Sequence, residues 1–137
     1  MQRNSGCVAA GCAYHVTQRG VNRQPVFYSI GDRLHYLRLM AENLADTQTR
    51  VLAFCLMTNH VHFVVVPERD DALAVLFRRV HGRYAQYLNV RRHRTGHLWQ
   101  NRFFSCPVSE GWLWVALRYV EENPVRALMV GSPELYE

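Results

Sequence analysis

A chain of 137 residues, 49% hydrophobic and 20% charged, has room for one compact core, so a single domain over 1–137 is expected. No apolar run approaches the roughly 18 residues of a membrane span and the start lacks a signal-peptide core, so the expectation is a cytoplasmic protein with no membrane partner. The net charge of +5 is carried by sixteen arginines without a lysine, and four scattered cysteines with no C-x-x-C pair argue for reduced thiols over a disulfide scaffold.

In chain order, "AYHVTQRG" (13–20) alternates as a strand does, and "NRQPVFY" after it reads as a turn or a short extended piece at Pro25. From Asp32 to about Thr47, Leu34, Leu37, Met40, Ala41 and Leu44 recur at helical spacing. "RVLAFCLM" and "HVHFVVVP" are two β-rich runs separated by Thr58-Asn59, which suits a hairpin. Leu73, Leu76, Phe77, Val80, Tyr84, Tyr87 and Leu88 mark a second long helix. "RRHRTGHLWQ" (91–100) is a basic loop, and "NRFFSCPV" is a strand. Ser109 is placed to cap a last helix from about Glu110 to Asn123, which Pro124 stops. The order β-α-β-β-α-β matches a ferredoxin-like α+β fold, an antiparallel sheet with helices on one face, to which a C-terminal helix is added.

Two features carry chemistry. Strand side chains alternate, so His60 and His62 in "MTNHVHFVVVP" (57–67) project from one face while Val61 and Phe63 take the other. Two imidazoles on one face can share a ligand, provided that the helices cover the opposite face. On the last helix Tyr119 and Asn123 stand four residues apart, presenting a hydroxyl and an amide oxygen together; Tyr119 is also compatible with a plain core aromatic in series with Trp112, Val115 and Ala116.

Between Asp71 and Glu110 there is no acidic residue, while seven arginines fall there among Tyr84, Tyr87, Trp99, Phe103 and Phe104. Arginine mixed with aromatics is what unpaired nucleic acid asks of a surface, since phosphates need cations and bases need flat partners. A GC-rich genome would also favour arginine over lysine, and the aromatics taken singly suit a core.

The motifs "YHVTQRG" (14–20), "MTNHVH" (57–62), "GRYAQYLN" (82–89), "TGHLWQNRF" (95–103) and "YVEENPVRA" (119–127) occur in the order found in the single-tyrosine HUH transposases of the IS200/IS605 type, and the chain most resembles the REP-associated tyrosine transposases. The resemblance covers about residues 13 to 130. It implies that His60 and His62 are a metal-binding pair, Tyr119 the nucleophile and Asn123 a third ligand. The cofactor it implies is Mg²⁺ or Mn²⁺, and the partner single-stranded or hairpin DNA. Candidates for DNA contact are Arg19, Arg23, Arg78, Arg83, Arg91, Arg94, His97, Trp99, Arg102 and Arg126, while His15, His35, His81 and His93 are read as non-ligands. A homodimer, with the active site completed by the same or a partner chain, is left open. Thr58 stands where this family usually has proline, and Leu128 where glycine is common.

The implied chemistry suits these residue types. Two neutral imidazoles and an amide oxygen leave positions on a divalent ion for phosphate, whose activation lets a phenol attack and form a 5′-phosphotyrosine link. Two other readings remain: a non-catalytic module that binds single-stranded nucleic acid on an open sheet, which explains the basic aromatic surface, and a zinc-stabilised domain, which explains only the histidines.

Overall fold

The computed structural model describes residues 3–4, 10–109 and 118. Its elements are strands β1 (Arg3–Asn4) and β2 (Tyr14–Arg19), a 3₁₀ turn (Val21–Arg23), helix α1 (Ile30–Leu44), strands β3 (Thr49–Leu56) and β4 (His60–Pro67), helix α2 (Ala72–Arg91) and strand β5 (Phe104–Pro107). The sheet runs β1-β5-β2-β4-β3 with every pairing antiparallel. Apart from the two-residue β1, which the sequence pattern did not signal, this is the ferredoxin-like order of fourth, first, third and second strand. The added helix expected over 110–123 lies outside the described residues except for Arg118, which is helical. Among the described residues, no helix is long and apolar enough to cross a membrane.

The helices cover one face of the sheet. Phe63 of β4 packs against Tyr36 of α1 and Phe77 of α2, at ring separations of 6.1 and 5.6 Å. Alternation therefore sends Val61, Phe63 and Val65 to the helices and His60 and His62 to the other face. Register brings β2 into line: Tyr14, Val16 and Gln18 sit opposite Val65, Phe63 and Val61, while Thr17 and Arg19 sit opposite His62 and His60. A bulge at Leu52 shifts the parity of β3, so that Leu56 pairs with Val61 on the helix side and Cys55 with His62 on the histidine side.

Ser29 caps α1 by accepting from the Asp32 amide, and the Asp32 carboxylate, almost fully buried, accepts from the Tyr28 amide and the Tyr87 hydroxyl. The inward residues of α1 are consequently Asp32, Tyr36, Leu39 and Met40. Leu34, expected inside, is 60% exposed, because the helix turns to bury the capped carboxylate and the tyrosine. α2 matches the expected face and adds His81, whose Nε2 lies 2.7 Å from the Tyr36 hydroxyl. Gly82 lies midway along α2 on its exposed side, where glycine costs about 1 kcal/mol relative to alanine. A Cβ at this position would meet nothing within 4 Å, so packing does not require the glycine.

Candidate metal and nucleic-acid site

The hairpin between β3 and β4 is a three-residue loop, Met57 to Asn59, one residue longer than the polar pair Thr58-Asn59 suggests. Its backbone is fixed by the chain that follows β2: Gly20 N donates to Asn59 O, and Val26 N donates to Thr58 O. Asn22 and Arg23 both adopt left-handed backbone, a conformation unfavourable for residues with a Cβ, and this carries the Arg23 carbonyl to the Asn59 side chain. Asn59 Nδ2 donates to Arg23 O at 3.2 Å, which orients the amide and leaves Oδ1 facing His60 Nδ1 at 2.7 Å. His60 Nδ1 must then carry the proton and donate, so that the lone pair of this imidazole is on Nε2.

His62 follows on the same face, its ring 4.7 Å from that of His60 and nearly perpendicular to it. Its Nδ1 is 3.1 Å from Nε2 of His15, and the two rings stack at 5.2 Å. For His62 to offer its Nε2 lone pair, its Nδ1–H donates to His15. His15 and Asn59 are the functional residues that sequence reasoning missed. Strand alternation puts His15 on one of two faces, but only the β2–β4 register says that it meets His62, and Asn59 reads as nothing more than a turn residue.

Electrostatics keeps this group neutral. Burial lowers the pKa of His62 to about 3, with smaller contributions from His60, His15 and Arg19. Burial and then Arg19 lower His60, and burial lowers His15. Neutral imidazoles with their Nδ1 atoms already engaged are the form in which histidine binds divalent metal. Among the described residues no group of three His, Cys, Asp or Glu could hold an ion. Among the described residues the pair thus supplies two ligands of the four that a closed zinc centre uses. Asn123 and Tyr119, expected to join it, lie outside the described residues, as does Arg126.

The predicted DNA-contacting residues do not form one surface. Arg19, Arg78, His97, Trp99 and Arg102 gather around clefts between α2, the end of β2 and the loop before β5. Arg23 is exposed beside the hairpin, and Arg83 is exposed on α2 without lining these clefts. Arg91 lies elsewhere, 3.5 Å from Asp32 and over the Tyr87 ring. Arg94 is committed to structure, donating to the Gln24 side chain and to His97 O. Trp99 is half-buried, its indole N–H donating to His81 O.

The loop carrying these residues has little regular structure yet is tied at many points. Val21 N donates to Leu98 O, Gln100 N to Arg19 O, and the Gln24 side chain to His97 O and Leu98 O. Gln18 Nε2 donates to the carbonyls of Gln100 and Asn101. Gly20 is required beside this junction, since a Cβ there would collide with the Gln24 carbonyl and come within 2.9 Å of Val26 Cγ1.

A family model described as transposase IS200 like matches residues 8–123. One solved structure, of a REP-associated tyrosine transposase bound to a REP hairpin, is similar over 97% of this chain and 78% of its own, with 17% identity and a TM-score of 0.74. Another, a protein from Deinococcus radiodurans R1 described as a transposase, covers 90% of this chain and 98% of its own at 18% identity and a TM-score of 0.58. No curated protein matches.

Proposed function

Because this chain belongs to the family of IS200-like transposases, we propose that it cleaves and rejoins single-stranded DNA at hairpin-forming sequences through Tyr119. The observation that carries the reading is the neutral His60–His62 pair on the sheet face away from the helices, each Nδ1 engaged by a neighbour. Bound there, Mg²⁺ or Mn²⁺ would polarise the scissile phosphate as a Lewis acid. His60 and His62 would hold the ion, with Asn123 as a third ligand. The Tyr119 oxygen gives up its proton and attacks phosphorus, the bond to the 3′ oxygen breaks, and that oxygen leaves as a hydroxyl. The 5′-phosphotyrosine link keeps the energy of the original bond, so a second 3′-hydroxyl can reverse the step and join strands. The REP hairpin named for the structurally similar transposase is the substrate class adopted here.

Tyr119→Phe tests the reading, since it keeps the ring and removes the attacking oxygen. With end-labelled hairpin DNA and Mn²⁺, the unsubstituted protein should give a denaturation-resistant adduct, and the Phe variant should bind but give none. An adduct in the variant moves the nucleophile elsewhere. Binding without an adduct in either protein, on DNA flanking the gene, favours the non-catalytic nucleic-acid-binding module.

A further inference from the structure

Beside the histidine pair, an open cleft of about 530 Å³ lies between the end of β2, the start of β5 and the loop before β5. Three of the residues lining it, Thr17, Arg19 and Phe104, belong to the histidine side of the sheet. Thr17 is paired with His62 on one neighbouring strand and with Phe104 on the other, and Arg19 is paired with His60. At about 4.8 Å between strands, Arg19 starts roughly 5 Å from the histidine strand and Phe104 roughly 10 Å from it. Arg102 lines the cleft from the loop.

Arg19 is held in place but left unpaired. Arg50, Arg69, Arg79 and Arg91 each face a carboxylate, whereas Arg19 and Arg102 are exposed and make neither an ion pair nor a side-chain hydrogen bond among the described residues. The Arg19 backbone is fixed from both sides, by its pairing with His60 and by Gln100 N donating to its carbonyl at 2.8 Å. Its charge reaches the histidines, adding to the burial that holds His60 and His62 below the usual imidazole range. A cation bound by the pair would be repelled by this guanidinium. An anion lying between the two turns that repulsion into two attractions.

We propose that Arg19 is a catalytic residue that grips the phosphate being transferred, while the strand continues along the cleft with Phe104 stacked on a neighbouring base and Arg102 facing a further phosphate. The planar fork of arginine donates to two non-bridging oxygens at once. In the transition state those oxygens carry the charge, and a cation already in position stabilises it without reorganising. Arg19 neither gives nor takes a proton in this step. Phe104, 38% exposed on a strand of the sheet, offers the flat face that an unpaired base requires. The inference rests on the DNA reading above and supplies what that reading lacks, a protein group on the phosphate itself.

Neutral methylphosphonate linkages, placed one at a time along an oligonucleotide from the DNA flanking the gene, test this without metal. In EDTA, one position should cost the parent about tenfold in affinity, the scale of a charged hydrogen bond. Arg19→Gln should bind the unmodified strand about tenfold more weakly and be indifferent to the substitution at that one position, keeping its sensitivity elsewhere. A variant whose profile parallels the parent's at every position would overturn the proposal. The sensitive position should be the linkage that the parent cuts with Mn²⁺, where Arg19→Gln should form the adduct about a hundredfold more slowly at saturating DNA. Sensitivity at another linkage would overturn the catalytic assignment. Mn²⁺ titration of Arg19→Gln without DNA should show affinity equal to or above the parent's; weaker binding would make Arg19 a support of the histidines and overturn the proposal. Phe104→Ala should cost about tenfold on the intact strand and nothing on a strand made abasic beside that linkage, and equal losses would remove the stacking. A parent that shows the binding profile but forms no adduct keeps the phosphate contact and loses the cleavage reading, whereas failure to bind any strand removes both.

Discussion

His81 makes the stability of this protein sensitive to acid in a way that can be worked out from its surroundings. The imidazole sits among Tyr36, Phe77 and Trp99, with ring separations of 4.4 to 5.7 Å, and its Nε2 meets the Tyr36 hydroxyl. Burial lowers its pKa from 6.5 to about 3. The sign follows directly: between those values the unfolded chain binds a proton that the folded chain refuses, so stability is complete above about pH 6.5 and falls as the pH drops toward 3. The loss is about 1.4 kcal/mol per pH unit below 6.5, or about 2 kcal/mol at pH 5. His81→Gln keeps an acceptor for the Tyr36 hydroxyl and cannot be charged. Urea unfolding of both proteins at pH 7.5 and pH 5.0 isolates the contribution, because His15, His60 and His62 remain in each. The parent should lose about 2 kcal/mol more than the variant over this interval. Equal losses would show that His81 is protonated as easily in the fold as outside it, and the burial argument would be wrong.

Two further outcomes follow from the site and its supports. Asn59→Leu removes the acceptor that fixes the His60 tautomer and should weaken Mn²⁺ binding about 10–100-fold by electron paramagnetic resonance titration without DNA, whereas Asn59→Asp should retain most of it; equal affinity in the Leu variant would mean that the amide does not position His60. Gly20→Ala should lower stability by about 1–3 kcal/mol, seen as a fall of several degrees in Tm, since the new methyl meets the Gln24 carbonyl and Val26; an unchanged Tm would mean that the turn relaxes freely.

The parts of this fold that sequence makes legible are those where one local period decides the outcome. The sharing of a face by His60 and His62 needs only alternation, and the inward residues of α2 need only the helical repeat. For α1 the same repeat misleads, because two overlapping apolar faces exist. Tyr87 on α2, the Tyr28 amide and the Ser29 cap choose the face bearing Asp32 and Tyr36, and Leu34 is left outside. The partnership of His15 with His62 depends on strand register, and the parity of Cys55 on a bulge, neither of which a local pattern specifies. That Arg91 also faces Asp32, Arg94 the Gln24 side chain and the Trp99 indole the His81 carbonyl is likewise hidden from composition, which does not report a side chain's partners.

The ties on the loop before β5 have an evolutionary corollary. Those made by Gln18, Gln24 and Val21 end on the carbonyls of His97, Leu98, Gln100 and Asn101, atoms that every amino acid possesses. Exchanging the exposed side chains at 97 and 100 therefore leaves those bonds in place and the loop in its path, whereas Asn101, with left-handed backbone, is restricted to residues that tolerate it. Selection can change what this segment displays one codon at a time without passing through a misfolded ancestor. An exchange at Gln18 or Gln24 removes a tie, and one at Gly20 introduces a collision, so changes at these three positions act on the frame itself.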